Sequence, residues 1–173
     1  MKIYKNIYLI GFRASGKTTL AERISLDTGL TFQDTDLQLQ EKAKMSIEKM
    51  IAMHGWNYFR DMEEKILAET AMRQGMIVAT GGGIVLRESN RNILKDNTNL
   101  TIYLKADRGL ILDRLEADPS PDQRPPLSIL SREQEVTEIL TQREPLYEEC
   151  ADVILSARED LQSLSLKVAG LIK

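Results

Sequence analysis

Along this chain, short uninterrupted apolar runs alternate with longer segments whose apolar residues recur every three or four positions. Ile7-Tyr8-Leu9-Ile10 is the first such run, too short for a helix and apolar throughout, so it predicts a buried strand. Thr19 to Ile24 reads as a helix behind it, and Gly29 supplies a C-terminal stop. Leu30 to Gln33 predicts a second strand ending in Asp34-Thr35-Asp36. Helical spacing follows over Leu37 to Lys44, Ser46 to His54 and Trp56 to Gln74, with Gly55 as a break. Met76 to Ala79 predicts a third strand running into Thr80-Gly81-Gly82-Gly83, Asn99 to Leu104 a fourth, and Asp152 to Leu155 a fifth. Helices over Asp107 to Leu115 and Glu159 to Leu171 complete the pattern. Strands alternating with helices indicate a doubly wound α/β fold with a mostly parallel sheet. Glu116 to Pro126 breaks the rhythm: it carries four of the five prolines and almost nothing to bury. It predicts an exposed, mobile loop, either a solvated connection or a lid.

Composition narrows the class. A chain of 173 residues, 42% hydrophobic and 28% charged, suits one globular domain with a full core. A net charge of -3 offers no basic footprint for nucleic acid, so an anionic ligand must be held by locally concentrated Arg, Lys and backbone N–H groups. One cysteine, Cys150, and one histidine, His54, exclude an intrachain disulfide and a zinc-type ligand cluster, and both are read as structural. With no apolar stretch long enough to span a bilayer and no secretory h-region, the expectation is a cytoplasmic protein bound to no membrane.

The candidate chemistry sits at strand ends. Gly11-Phe12-Arg13-Ala14-Ser15-Gly16-Lys17-Thr18 fits G-x-x-x-x-G-K-[ST] between a predicted strand and a predicted helix, the context that pattern requires. Gly11, Ala14, Ser15, Gly16, Thr18 and Thr19 are expected around the phosphates of a nucleoside triphosphate. Backbone N–H groups would form the nest, Lys17 would reach the β- and γ-phosphates, and Thr18 would ligate Mg²⁺. Asp34 and Asp36 can point the same way if the backbone stays extended, one toward Mg²⁺ and one toward a substrate hydroxyl. The same D-x-D is equally compatible with a helix N-cap at Asp36. Gly81, Gly82 and Gly83 imply either close approach by a ligand or a flexible loop. Arg60 lies three and four residues from Glu63 and Glu64, so pairing along a solvated helix face stands beside any binding role. Arg143 is equally compatible with a surface position before a proline-bent helix.

Taken together, these motifs resemble the shikimate kinase family. The resemblance runs over nearly the whole chain and rests on the P-loop, Phe32-Gln33-Asp34-Thr35-Asp36, Phe59-Arg60 with Glu63, Thr80-Gly81-Gly82-Gly83, Arg124-Pro125-Pro126-Leu127 and Arg143-Glu144-Pro145-Leu146-Tyr147. It implies a P-loop kinase fold: a five-stranded parallel sheet of order 2-3-1-4-5 flanked by helices. It implies a single domain over 1–173, with a substrate-binding part at about 34–62 and a mobile lid at about 116–127. The implied reaction moves the γ-phosphoryl of ATP to the 3-hydroxyl of shikimate, a step in chorismate and aromatic amino-acid synthesis. By resemblance Asp34 and Thr18 hold the Mg²⁺ shell, and Asp36 orients the acceptor hydroxyl. Arg60 and Arg143 grip the substrate carboxylate, and Glu63 fixes Arg60. Gly81, Gly82 and Gly83 offer backbone N–H groups to substrate, Lys17 and Arg124 neutralise charge on the transferred group, and Arg114 stacks on adenine.

Two departures from the family pattern fall in the presumed substrate region. Gly55-Trp56 stands where Gly-Glu is usual, and Met50-Ile51 replaces Ile-Phe; Trp56 is expected as packing or a pocket wall. The rivals are a related P-loop small-molecule kinase and a shikimate-kinase-like module without catalysis. An acceptor lacking a carboxylate would leave Arg60 and Arg143 unpaired. Loss of catalysis would be marked by loss of Lys17, Asp34, Asp36 or Arg124, and all four are present. A monomer is the expected assembly.

Overall fold

In the computed structural model residues 3–117 and 131–172 are described; Arg124 and the expected lid from residue 118 onward lie outside them. Five parallel strands form one sheet in the order β2-β3-β1-β4-β5, as the resemblance implied. They are β1 (Asn6–Ile10), β2 (Thr31–Asp34), β3 (Met76–Ala79), β4 (Leu100–Lys105) and β5 (Val153–Ser156). The last three strand positions agree with the apolar runs to within one residue at each end. Ile7 registers with Ile77 on one side and Leu100 on the other, so the most apolar run of the chain occupies the middle of the sheet.

Alternation along the strands divides the core. Ile7, Leu9, Ile77, Ile102 and Leu104 pack with Leu20 and Ile24 of α1 (Lys17–Thr28), Ile111 of α5 (Arg108–Ala117) and Val168 of α7 (Leu161–Ile172). Tyr8, Ile10, Val78 and Tyr103 point the other way, against Leu67 of α3 (Ile47–Ala71), Leu94 of α4 (Glu88–Leu94), and Tyr147 and Cys150 of α6 (Arg132–Cys150). Each fully buried aliphatic side chain stabilises this arrangement by about 1.5–3 kcal/mol. A third cluster, Leu39, Ile47, Met50, Ile51, Phe59 and Ile66, joins α2 (Thr35–Ala43) to α3. Met50 and Ile51 therefore belong to a core.

Local signals explain most boundaries. Gly29 ends α1 in the left-handed region, φ 76°, with its N–H on the Ser25 carbonyl, the C-terminal geometry glycine adopts without steric cost. Gly55, at φ 81° and ψ 171°, interrupts α3 where the break is expected, although helix continues on both sides. Helix α4 has no counterpart in the sequence reading, and α6 is far longer than the proline-bent helix read after Arg143: it starts at a capping box between Ser131 and Gln134 and runs through Pro145. Arg143 is therefore inside a helix rather than ahead of one, and it is buried.

Candidate active site

The carboxyl ends of β1, β2 and β3 open onto a cleft of about 910 Å³, where a parallel α/β sheet places ligands. Gly11 begins the P-loop at φ 143°, and a Cβ there would lie 2.7 Å from the Leu104 carbonyl oxygen of β4, so backbone packing admits only glycine. Ala14 takes φ 59°, a left-handed conformation that costs a non-glycine residue about 1–2 kcal/mol. Gly16, at φ 98°, caps α1 with no side chain over the helix N-terminus, which leaves the positive end of the helix dipole facing the cleft. Lys17 is buried and folds back over the loop: Nζ donates to the carbonyls of Gly11 (2.9 Å) and Phe12 (2.7 Å) and to Ser15 Oγ (3.3 Å). Thr18 and Thr19 are exposed on the first turn of α1 and line the cleft.

Thr18 Oγ1 donates to Asp34 Oδ2 at 2.8 Å. The other carboxylate oxygen of Asp34 accepts from the backbone N–H groups of Asp36 (2.9 Å) and Leu37 (3.1 Å). This corrects both sequence readings of the D-x-D pair. The backbone does not stay extended, because α2 begins at Thr35, and the N-cap is Asp34 rather than Asp36. Both aspartates nevertheless line the cleft together with Lys17 and Thr18. A hydroxyl and a carboxylate at hydrogen-bond distance form a hard oxygen donor pair. That set suits Mg²⁺, which takes one or two protein ligands and fills its remaining positions with water and phosphate oxygens.

Beside this cleft Arg60 and Arg143 meet, Arg60 from α3 and Arg143 from α6, and they line one small pocket with Phe12, Arg13, Trp56 and Gly82. Arg60 is not on a solvated face. Its Nη1 donates to Glu63 Oε2 at 2.5 Å, and Glu63 is only 1% exposed; a guanidinium buried this far needs such a counter-charge. The Arg60 guanidinium also lies 4.9 Å from the centroid of Phe59 and 5.5 Å from that of Trp56, so Trp56 is both packing and pocket wall. Glu64 instead pairs with Arg87, which also reaches Asp61 and so ties the segment after the triple glycine to α3. Hydrogen bonds from Ser89 and Arg87 hold the Glu64 carboxyl below the usual range.

The glycines prove to be acceptors as well as donors. Gly81 N–H donates to Thr35 Oγ1 at 3.1 Å, whereas the Gly82 carbonyl accepts from Arg143 Nη1 at 3.1 Å and from the Tyr147 hydroxyl. Gly82 lies tight against the P-loop backbone, its missing Cβ 3.2 Å from Arg13 N. At Gly83 a Cβ would sit 2.3 Å from the Arg60 guanidinium. Close approach, not looseness, is what the triple glycine provides here.

A family model described as shikimate kinase matches residues 13–170. The chain belongs to the shikimate kinase family. It is 36% identical over 162 residues to shikimate kinase 2 of Pectobacterium atrosepticum, covering 94% of this chain and 92% of that one. It is 39% identical over 145 residues to the shikimate kinase of Nitratidesulfovibrio vulgaris, covering 84% and 82%. Its fold is similar to that of the Acinetobacter baumannii shikimate kinase solved in complex with shikimate, with a TM-score of 0.90 at 30% identity, covering 99% of this chain and 94% of that one. Shikimate kinases use ATP and a small-molecule acceptor, and no helix among the described residues is long and apolar enough to cross a membrane.

For a shikimate kinase, several contacts were invisible in the one-dimensional pattern. Arg13, at a variable position of the P-loop, pairs with the buried Glu135 of α6 at 3.2 Å and lines both the cleft and the arginine pocket. Tyr147, one turn beyond Arg143, reaches the same Gly82 carbonyl. Helical i, i+4 spacing was the signal that could have paired it with Arg143. Arg132 lines the cleft and donates to the Leu115 carbonyl at 3.4 Å, which nothing in its sequence context announces. Arg114 also lines the cleft, and its guanidinium is hydrogen-bonded to backbone carbonyls of the P-loop.

Proposed function

We propose that this chain transfers the γ-phosphoryl group of ATP to the 3-hydroxyl of shikimate, giving shikimate 3-phosphate and ADP. The observation that carries the acceptor assignment is the meeting of Arg60 and Arg143 in one pocket directly beside the P-loop cleft. Two guanidinium forks suit a planar carboxylate, and burial makes that pairing selective for a carboxylate-bearing acceptor.

In this reading the P-loop from Gly11 to Thr19 binds the triphosphate, and Lys17 leaves the loop carbonyls for the β- and γ-phosphate oxygens. Thr18 and Asp34 hold Mg²⁺, which when bound neutralises phosphate charge. Asp36 accepts a hydrogen bond from the 3-hydroxyl, orients it in line with the γ-phosphorus, and takes its proton as the new P–O bond forms and the bond to the β,γ-bridging oxygen breaks. Gly82 and Gly83 present backbone N–H groups to the acceptor, while Gly81 braces Thr35. Lys17 and Arg124 neutralise charge on the phosphoryl group in flight. The segment around 34–62 shapes the acceptor pocket and that around 116–127 serves as the lid of a single-domain enzyme. The lone, buried Cys150 suits a reducing cytoplasm, and a monomer is the assembly in this reading.

Coupled ADP release from the purified chain with Mg-ATP, comparing shikimate, quinate, gluconate and AMP, tests the assignment. Turnover with shikimate alone is expected. Turnover with gluconate or AMP instead would overturn the acceptor while leaving the kinase, and silence with all four would overturn catalysis.

A further inference from the structure

Among the described residues Arg114 of α5 bonds to backbone carbonyls at three points: Nη1 donates to Ala14 O (3.0 Å) and Ser15 O (2.7 Å), and Nη2 to Ala157 O (3.1 Å). The first two belong to the P-loop. The third belongs to the loop between β5 and α7, which lines the far side of the same cleft. In a trans peptide unit the N–H points opposite to the C=O. Holding the carbonyls of Ala14 and Ser15 therefore turns the N–H groups of Ser15 and Gly16 to the other side of the loop. Ser15 N–H accordingly makes a long, 3.3 Å bond across the loop to Phe12 O. Both N–H groups are thereby turned to one face, as a phosphate nest requires, and the Ala14 backbone immediately before them is held at φ 59°, a conformation that persists only when its surroundings impose it.

The helix behind Arg114 is tied to the same loop at a second point. Asp107 begins α5 by accepting from Leu110 N–H (3.0 Å), and Arg158, the residue after Ala157, binds both oxygens of Asp107 at 2.5 and 2.9 Å. Helix α5 is thus pinned to the β5–α7 loop at its first turn through Asp107 and near its last turn through Arg114. The Arg158 guanidinium keeps the Asp107 carboxyl at about 2, fully ionised in neutral solution.

We infer that Arg114 is a positioning residue for the phosphates, a strut that orients the P-loop N–H groups from behind, and not only a platform for the base. This inference rests on the P-loop's binding a nucleoside triphosphate. Inorganic tripolyphosphate, which has no base, separates the two roles. Calorimetric titration of the wild-type chain, Arg114→Ala and Arg114→Lys with Mg-tripolyphosphate and Mg-ATP, alongside the KM for shikimate and the Tm, is the experiment. Loss of directed hydrogen bonds predicts tripolyphosphate affinity weakened about tenfold or more in both variants, because a lysine keeps the charge but not the two-sided fork. The shikimate KM should stay within about twofold. Weakened ATP binding with unchanged tripolyphosphate binding would overturn the inference in favour of base contact. Wild-type behaviour of Arg114→Lys beside a weak Arg114→Ala would reduce the role to charge. Parallel loss of shikimate affinity and Tm would reduce it to general packing. A wild-type chain that binds neither ligand would overturn the nucleotide reading itself, and this inference with it.

Discussion

Arg143 and Tyr147, one turn apart on α6, donate to the same acceptor, the carbonyl oxygen of Gly82. The pair occupies both lone pairs of that oxygen and fixes the peptide unit that carries the Gly83 N–H. Tyr147 is fully buried and stacked on Tyr103 with ring centroids 5.0 Å apart, and burial pushes the Tyr103 phenol up, so that ring stays neutral at working pH.

Replacing Tyr147 with Phe keeps that stack and removes only the hydroxyl. One lost hydrogen bond of about 1 kcal/mol predicts a shikimate KM raised roughly fivefold, with the ATP KM unchanged. Steady-state kinetics with each substrate varied in turn checks this, and an equal rise in both KM values would make Tyr147 a packing residue only.

Gly83→Ala probes the crowded side of the arginine pocket. The added methyl would meet the Arg60 guanidinium at 2.3 Å, and the flexible end of that side chain must move away from its partner Glu63. Fold stability should fall by about 1–3 kcal/mol, the cost of overpacking beside a buried ion pair, and shikimate KM should rise about tenfold with the ATP KM unchanged. Thermal melts with kinetics on the same preparation decide it; wild-type KM would show that Arg60 is not held in place for the acceptor.

Thr18 and Asp34 can be separated, because only Asp34 also caps α2. Thr18→Val should raise the Mg²⁺ concentration needed for half-maximal rate with little effect on Tm. Asp34→Ala should do the same and also cost about 1 kcal/mol of stability through the lost cap. Mg²⁺ titrations of the rate, paired with urea melts, measure the two effects independently.

Asp36→Asn keeps the size of the side chain and loses its basicity. The expected result is a kcat lowered about 10²-fold or more with ATP binding nearly unchanged. Unchanged turnover would remove Asp36 from the reaction.

Cys150 is buried against α4 and β4, and burial raises its thiol from the ordinary 9.0 to about 11. Because the native state holds this proton more tightly than the unfolded chain, the associated stability is complete below pH 9 and lost as pH climbs toward about 11. At pH 8 only about one molecule in a thousand carries the thiolate. A disulfide reagent should therefore leave the native chain unlabelled for hours and modify one thiol once guanidinium unfolds it. Rapid native labelling would contradict the burial.

How far a residue could be read in advance followed from how local its constraint is. The P-loop was legible because its chemistry lies within eight consecutive residues between a strand and a helix, and the apolar runs of β1, β3 and β4 were legible because burial on both faces leaves few polar positions, whereas β5, an edge strand with Ile154 49% exposed, showed only a short apolar run. Gly29 and Gly55 announced themselves through backbone conformations few other residues tolerate. Helix α4 and most of α6 did not: α6 is partly charged along its length and takes its burial from two different core clusters, so no single apolar stripe marks it. The amino-acid sequence by itself determined the strand count, the nucleotide loop and, through motif resemblance, the family. Only the tertiary structure decided that Asp34 rather than Asp36 caps α2, that Arg60 and Arg143 share a pocket, that Gly82 serves them as an acceptor, and that Arg114 grips the P-loop from behind. The cap is local, and it escaped because an extended and a helical backbone after Asp34 fit the same three residues; the other three depend on distances between residues far apart along the chain, which sheet order and helix packing set and which no local pattern encodes.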